Sequence, residues 1–469
     1  MNRKNLYSGR DKELFELSEQ YEAAKTEGKS IYLDADDCAD LADWYALRGK
    51  HEAAMEITVY GLELHPESTP LLVEQAYLYL DSRNREKAKQ IADSIRDDYS
   101  PEVKILKANI LLGEGRMDEA EKLLDTIKGE ETLADIVEIV YTFIDMACLE
   151  KARAWLKQGE ERYTDDEAYI AVTADLLYAE RKNEEAIKFY NKLIDRNPYS
   201  APYWYGLARC YLDTQQYDKA IEACDYAIVS DEEYAEAYLT RGHAFFHLGN
   251  EEEAIKNYLI AEKYKIVAPD FVNSVIAMNK LTNGEWEEGY KFLEKAIRTS
   301  APDSESLSLF YANAALCLHK LGNKRKAHQY CKKAYEINPE DIDAHLIEGR
   351  IYLEEGNREK AAQRWSMALL YSPYADTWYD IGENCLEAGD LEFAQMAFEH
   401  VKEMEPDFEG INERLSVVYL MMMDMKNFQK YNQLCEVPIN TKDVENIQRL
   451  LKENDAEELT KIFRKLMNL

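Results

Sequence analysis

The sequence predicts an all-α protein, a solenoid in which hairpins of two helices stack side by side along the chain. Three observations support this prediction. A small residue recurs at spacings of 32 to 38 residues through most of the 469-residue chain. A second small residue lies twelve positions before nearly every one of them, and glycines and prolines fall at the ends of the apolar patterns between. Self-similarity at this period indicates a repeat architecture, since a chain of this length exceeds one ordinary globular core.

The two helices of a hairpin are clearest in the segment that begins at Ala201. Trp204, Leu207 and Tyr211 share one stripe of a first helix. Ala220 and Cys224, with Ala227 after them, share one stripe of a second helix. Residues three and four apart lie on the same side of a helix. Each helix therefore has one apolar face that its neighbours must cover.

The small residues predict where the two helices of a hairpin touch. The row on the second helix comprises Ala54, Ala88, Ala120, Ala152, Ala186, Ala220, Ala254, Gly289, Ala327, Ala361 and Ala394. The facing row on the first helix comprises Ala42, Ala76, Ala108, Ala174, Ala208, Gly242, Ala277, Ala315, Gly349 and Gly382, with Val140 as the exception. Larger side chains at such a contact would cost about 1 to 3 kcal/mol each, because protein interiors are closely packed.

Glycines and prolines mark the ends of the helices. The turn between the two helices contains Gly49, Gly115, Gly249, Gly322, Gly356 and Gly389. A residue with positive φ commonly ends a helix, and glycine adopts that conformation without steric cost. The second helix is followed by Pro66, Pro198, Pro339, Pro373 and Pro406.

These positions resemble the tetratricopeptide repeat, whose signature places an aromatic residue, Leu, Gly and Tyr on the first helix and Ala, an aromatic residue and Pro on the second. The best match comprises Trp378, Ile381, Gly382, Ala394, Phe398 and Pro406. Eleven repeats begin near residues 35, 69, 101, 133, 167, 201, 235, 270, 308, 342 and 375, and a degenerate twelfth begins near 409. The resemblance covers residues 35–440, favours a bacterial protein and implies a right-handed superhelix whose first helices line a concave groove.

The repeat is irregular at residues 266–307, where an extra residue, Lys280 in place of Tyr or Leu, and the polar stretch SAPDSES interrupt the pattern. Because each repeat contacts only its neighbours, we expect a change of superhelical course there. Apolar stripes in residues 1–34 and 441–469 are expected to cap the array. These stripes comprise Leu14, Leu17, Tyr21 and Ala24 at the start and Val444, Ile447, Leu451, Leu459, Ile462, Phe463 and Leu466 at the end.

The charge of the chain restricts its partners and its compartment. Ninety acidic and 57 basic residues give a net charge of −33, which disfavours nucleic acid and anionic membranes as partners. No segment approaches the roughly 18 consecutive apolar residues of a membrane span. The eight cysteines are scattered singly, as in proteins of a reducing compartment. We therefore expect a cytoplasmic protein.

The predicted function is a scaffold that binds a protein or peptide in the concave groove. The resemblance assigns to the groove the residues Tyr77, Asn109, Tyr141, Tyr178, Tyr205, Arg209, His243 and Phe246. Tyrosine suits recognition because it offers a large contact area and one polar group. Alternatively, these residues pack between neighbouring first helices. Acidic residues near the start of several first helices favour a neutral or basic partner, although they also fit a solvated surface.

Catalytic, metal and cofactor sites are not predicted. Phosphate-binding loops and hydrolase motifs are missing, and His243 and His247, four residues apart, lack evident further ligands. An enzyme using carboxylates such as Asp175 and Glu383 is disfavoured. The resemblance also disfavours a clamp for chaperone C-termini, because the required lysines are absent from the fifth positions.

A second functional class stays open, a peptide- or ligand-responsive regulator with a hinge near residues 266–307.

Overall fold

The computed structural model describes residues 11–129, 131–440, 444, 447 and 449 of the chain. Every regular element among these residues is a helix. The chain divides into two compact units, unit 1 (residues 1–266) and unit 2 (residues 267–469). Within each unit, successive helices pair into stacked hairpins, which confirms the predicted all-α solenoid.

Unit 1 begins with one single helix and continues as hairpins. Its helices are α1 (Asp11–Thr26), α2 (Ala35–Leu47), α3 (His51–Leu64), α4 (Thr69–Asp81), α5 (Arg85–Ser94), α6 (Pro101–Gly113), α7 (Met117–Asp125), α8 (Leu133–Asp145), α9 (Leu149–Leu156), α10 (Glu160–Tyr163), α11 (Glu167–Ala179), α12 (Asn183–Arg196), α13 (Ala201–Asp213), α14 (Tyr217–Ser230), α15 (Ala235–His247) and α16 (Glu251–Lys263). A 3₁₀ turn at Lys157–Gly159 separates α9 from α10. The first helices of the hairpins, α2, α4, α6, α8, α11, α13 and α15, begin at the residues that the period predicts.

Unit 2 consists of hairpins throughout the helices described. These are α17 (Pro269–Thr282), α18 (Trp286–Thr299), α19 (Ser306–Lys320), α20 (Lys324–Ile337), α21 (Ile342–Glu354), α22 (Arg358–Tyr371), α23 (Ala375–Glu387), α24 (Leu391–Met404), α25 (Ile411–Met421) and α26 (Met425–Asn432). Here α17 and α19 begin one and two residues before the predicted positions.

The small residues lie at the contact between the two helices of a hairpin, as predicted. Ala54, Ala220 and Ala361 are completely buried. Gly349 shows why the facing position is small, because a Cβ added to it would lie 2.1 Å from Nε1 of Trp365 on the second helix. An aromatic ring of one helix therefore lies against the backbone of the other, and this close approach fixes the geometry of the hairpin.

The turns between paired helices use the left-handed conformation. All six glycines predicted for these turns have positive φ, with Gly249 at 73°. In hairpins without such a glycine, Arg83, Arg181 and Gln215 adopt the same conformation, with φ between 58° and 62°. The geometry of the turn is therefore required even where the sequence lacks glycine.

Helix α1 covers the first hairpin of unit 1. Leu14 and Tyr21 are buried against it, and Leu17 is half-buried. The Lys25 ammonium lies 2.6 Å from the Glu56 carboxylate of α3. At the other end of the chain, Val444 and Ile447 are buried in the core formed by the last hairpins of unit 2. The remaining residues of the predicted C-terminal stripe lie outside the described residues.

The first helices of unit 1 lie on the inner side of its curve. Tyr77 of α4 donates a hydrogen bond to Glu138 of α8, which lies two hairpins further along the chain. The ammonium of Lys50, before α3, lies 3.7 Å from the carboxylate of Glu233, before α15. Unit 1 therefore curves tightly enough to bring its first hairpin close to the loop before α15.

The boundary between the two units, at Ile266 and Val267, lies at the start of the irregular region of the sequence, residues 266–307. Lys280, the unusual residue of α17, forms an ion pair of 2.9 Å with Glu285 in the turn before α18. The expected change of superhelical course stays a prediction.

Candidate functional site

The eight predicted groove residues lie on the first-helix face of unit 1, the inner surface formed by α4, α6, α8, α11, α13 and α15. They fall into two parts. The buried half, formed by α4, α6 and α8, contains Tyr77, Asn109 and Tyr141. The open half, formed by α11, α13 and α15, contains Tyr178, Tyr205, Arg209, His243 and Phe246.

In the buried half, Tyr77 is held by neighbouring hairpins. Its hydroxyl donates to Glu138 and accepts a hydrogen bond of 3.0 Å from the Asn109 amide. Only 6% of Tyr77 and 3% of Tyr141 is exposed. These two tyrosines therefore have little surface left for a partner, and their hydrogen bonds join different hairpins of unit 1.

Asp175 of α11 joins the buried half to the open half. Its carboxylate accepts hydrogen bonds of 2.7 Å from the Tyr141 hydroxyl and 2.6 Å from the Tyr190 hydroxyl. It also forms an ion pair of 3.0 Å with the Arg209 guanidinium. The carboxylate is buried, and its three partners come from α8, α12 and α13. A charge buried in this way is tolerated because hydrogen bonds and an opposite charge compensate for lost water.

Arg209 lies between two tyrosine rings at the centre of the open half. Its guanidinium carbon is 4.3 Å from the ring centroid of Tyr178 and 5.1 Å from that of Tyr205. Burial works against its charge, but the Tyr190 hydroxyl and the Asp175 carboxylate outweigh burial and raise the pKa of the guanidinium. The cation and its two aromatic neighbours therefore form a preorganised polar and aromatic surface.

The tyrosines of the open half stay protonated at neutral pH. Burial raises the pKa of Tyr178 to about 12, against the opposing effect of Arg209. Burial also raises the pKa of Tyr205, whose ring packs 5.3 Å from that of Tyr234. The Tyr178 hydroxyl is hydrogen-bonded to the Asp213 side chain and the Tyr205 hydroxyl to that of Thr240, so both rings are held in place.

Helix α15 supplies the most exposed aromatic residue of the site. Phe246 is 52% exposed and occupies the position in α15 that Tyr178 occupies in α11. One turn earlier, the ring nitrogen Nδ1 of His243 lies 3.0 Å from the Tyr258 hydroxyl. Burial, and then the nearby His247, lower the pKa of His243. The neutral histidine and the exposed phenylalanine extend the aromatic surface beyond Arg209.

Carboxylates crowd the other end of the first-helix face. Burial raises the pKa of Glu102, and the carboxylates of Glu138, Asp135 and Asp36 raise it further. These residues belong to α2, α6 and α8, so three hairpins contribute to one negative region. A positively charged group bound there would relieve their repulsion.

The sequence identified the face of each predicted residue but not its hydrogen-bond partners. Glu138 and Tyr190 were missed, although Tyr190 lies at the aromatic position of a second helix, where the repeat signature predicts packing. The sequence placed Asp175 on the groove surface and offered it as a carboxylate of a disfavoured enzyme, but it did not predict its partners. The structure instead places it in the network with Tyr141 and Arg209, and it pairs Glu383 with Arg414 at 2.6 Å.

The described residues contain neither a metal-binding cluster nor a helix that could span a membrane. Within them, no group of three or more His, Cys, Asp and Glu side chains is arranged to hold a metal ion. His247 stacks on Tyr217, with the ring centroids 4.9 Å apart, so the two histidines of α15 pack against different tyrosines. Within the same residues, no helix combines the length and the apolar character that crossing a membrane requires.

Comparison with known proteins gives matches along much of the chain. Models of the tetratricopeptide repeat match residues 177–231, 235–262 and 309–341. The TPR repeat-containing protein YpiA of Bacillus subtilis is 24% identical over 400 residues, which cover 84% of this chain and 92% of that protein. The Hsp70-Hsp90 organizing protein of Triticum aestivum is 22% identical over 277 residues. That alignment covers 50% of this chain, which spans only 47% of the wheat protein.

Solved structures also align with the chain. The crystal structure of yeast Tom70 has a TM-score of 0.42 and 12% sequence identity, over 92% of this chain and 99% of that one. The family models match separate parts of the sequence, so the predicted number of about twelve repeats stays a prediction. The helix hairpins through both units and the repeat models that match in each support a tetratricopeptide-repeat protein.

Proposed function

We propose that the chain is a protein-interaction scaffold that binds a peptide segment of its partner on the first-helix face of unit 1. Proteins built from this repeat are typically interaction scaffolds. The observation that carries the proposal is the open half, where Phe246 of α15 is half exposed and Arg209 of α13 lies between two tyrosine rings. Aromatic residues and arginine contribute most strongly to binding energy at protein interfaces.

The bound segment combines apolar and basic side chains. Phe246 and Tyr178 offer apolar contact area for such a segment. The crowded carboxylates around Glu102 attract Lys or Arg, because a cation stabilises their ionised forms. The buried half acts mainly by holding the first helices at the curvature that binding requires.

We place this scaffold in the cytoplasm. All eight cysteines belong to the described part of the chain and are free thiols, as expected in a reducing compartment. The alternative, a regulator with a hinge near residues 266–307, stays a prediction, and the boundary between the two units falls at the start of that region.

The proposal is tested by selecting peptides from a random phage-displayed library on the immobilised full-length chain. We expect enriched peptides to carry an aromatic or aliphatic residue together with Lys or Arg. Their affinity is then measured for the Phe246→Ala variant, which removes an exposed ring and little packing. Truncation of an aromatic residue that contributes to an interface costs about 1 to 3 kcal/mol, so binding should weaken roughly 5- to 150-fold.

The matched control is Val229→Ala, because Val229 is 82% exposed on α14, a second helix. Its affinity for the same peptides should equal that of the wild type. Failure to enrich any peptide that combines an apolar residue with Lys or Arg, or equal weakening by the two substitutions, would contradict the proposed site.

A further inference from the structure

Helix α20 of unit 2 has a charge opposite to that of the chain as a whole. Its sequence KRKAHQYCKKAYEI contains five basic residues and one glutamate, whereas the full chain has a net charge of −33. The apolar stripe of α20, Ala327, Cys331 and Ala334, is buried against the rest of unit 2. The lysines and the arginine therefore lie on its outer sides, at the surface formed by second helices.

Two of these lysines are held in place by tyrosines. The Lys326 ammonium donates a hydrogen bond of 2.6 Å to the Tyr290 hydroxyl and lies 5.3 Å from the ring centroid of Tyr330. The Lys333 ammonium lies 5.2 Å from the centroid of the same ring and 5.1 Å from that of Tyr311. Cations fixed over aromatic rings lose less conformational entropy on binding than freely moving lysines.

Much of this positive charge is not compensated by neighbouring carboxylates. Within the described part of the chain, Lys324, Arg325 and Lys333 form no ion pair within 4.0 Å. Lys332 pairs only with Glu336 on the same helix, at 3.6 Å, and is 77% exposed. An exposed pair of this kind contributes little, so Lys332 is available to another anion.

We propose that the outer surface of α20 binds an acidic peptide segment of a partner protein. This basic surface comprises Lys324, Arg325, Lys326, Lys332 and Lys333. It is distinct from the first-helix face of unit 1 and takes a ligand of the opposite charge.

The size of the basic surface favours a short acidic segment over a long polyanion. A helix of 14 residues is about 21 Å long, which an extended peptide spans with about six residues. Acidic groups border it, since Glu294 lies 3.9 Å from Lys326 and Glu355 lies 3.2 Å from His328 of the same helix. A nucleic acid that extended past α20 would meet these carboxylates and the negative charge of the chain.

The test measures the fluorescence anisotropy of a labelled peptide of six glutamates, flanked by Gly-Ser, with the full-length chain. A peptide of six glutamines and a single-stranded 12-nucleotide DNA serve as comparison probes. We expect the hexaglutamate peptide to bind more tightly than either, and its binding to weaken as salt is raised, because exposed charges are screened.

The variant Arg325→Glu/Lys332→Glu/Lys333→Glu should weaken hexaglutamate binding at least about tenfold, from the loss of three charge contacts. The control variant Lys188→Glu/Lys219→Glu/Lys256→Glu changes the net charge equally, at exposed positions on second helices of unit 1, and should bind the peptide almost as the wild type does.

The variant Arg325→Gln/Lys332→Gln/Lys333→Gln, a milder change, should give an intermediate loss. Circular dichroism establishes that each variant is folded.

The proposal is overturned if hexaglutamate does not bind, if both charge-reversal variants lose affinity equally, or if the DNA binds more tightly than the peptide. The last result would assign the basic surface to nucleic acid. Library peptides whose binding is weakened by Phe246→Ala should bind the α20 variants with the affinity of the wild type. The two proposals can therefore fail or succeed separately.

Discussion

The substitution Gly382→Ala tests the packing within a hairpin most sharply. A Cβ added to Gly382 in α23 would lie 2.5 Å from Cε1 of Phe398, and two more ring atoms would lie at 2.8 Å. Phe398 is completely buried, and its ring also packs 5.5 Å from the ring of Tyr379. The ring therefore has no open space into which it can move.

The expected magnitude follows from two opposing effects. Replacing glycine by alanine inside a helix favours folding by about 1 kcal/mol. Overpacking a close-packed contact costs about 1 to 3 kcal/mol. Because three ring atoms lie inside 3 Å of the added carbon, the cost should fall at the upper end of that range. We expect a net loss of about 1 to 2 kcal/mol in the free energy of unfolding.

The assay is urea-induced unfolding of the full-length chain, followed by circular dichroism. The control is Gly113→Ala, because a Cβ on Gly113 in α6 would meet its nearest atom, Cζ of Arg85, at 3.6 Å. That variant should be at least as stable as the wild type, because Gly113 is the last residue of α6 and the added carbon meets no close atom. Phe398→Leu should reduce the cost of Gly382→Ala by at least about 0.5 kcal/mol, since residues in contact couple. If Gly382→Ala is as stable as the wild type, the reasoning about this contact is wrong.

Three further predictions concern charge and thiols. Asp175→Ala leaves Arg209 without its carboxylate partner and should destabilise the chain by about 2 to 3 kcal/mol in urea unfolding. This loss is smaller than that for a fully buried ion pair, because Arg209 is partly exposed. The control Asp213→Ala breaks an exposed ion pair and should lower the free energy of unfolding by less than about 1 kcal/mol. An equal loss of stability in both variants would refute the role given to Asp175. Burial and nearby carboxylates raise the pKa of Asp380 to about 6. The folded state therefore holds this proton more tightly than the unfolded state, and the free energy of unfolding falls as pH rises from about 4 to about 6. Asp380→Asn should therefore raise the melting temperature more at pH ~7.5 than at pH ~5.5, and an equal effect at both would contradict the assignment. Of the eight thiols only Cys148 is not buried. Ellman's reagent should therefore modify about one thiol per native chain and eight after denaturation. Rapid modification of several thiols in the native chain would contradict their burial.

The repetition in the sequence was sufficient to predict where the helices of unit 1 begin. The start of α8 at Leu133 and of α13 at Ala201 follows from the period alone, because the same contact recurs in each hairpin. The interruption between α9 and α10 was not predicted. There a Cβ on Gly159 would lie 2.9 Å from the ring of Tyr169 on the next first helix. This constraint comes from a neighbouring hairpin and leaves no mark on the period.

The candidate site was predicted only in part. The spacing placed Tyr77 and Tyr141 on the inner face, but it gave no measure of how closely alternate hairpins approach each other. In the structure Tyr77 reaches Glu138 two hairpins away, and Tyr141 reaches Asp175. Both rings are consequently buried. Burial at these positions depends on curvature, which each hairpin changes slightly and which no single repeat encodes.

The measurement that tests the proposed function most directly is hydrogen–deuterium exchange of the full-length chain, with and without a peptide selected from the library. We predict that the peptide slows exchange in α11, α13 and α15, whose first-helix face contains Tyr178, Arg209 and Phe246. The second helices α12, α14 and α16 should exchange at unchanged rates. Protection confined to the second helices or to unit 2 would contradict binding on the first-helix face.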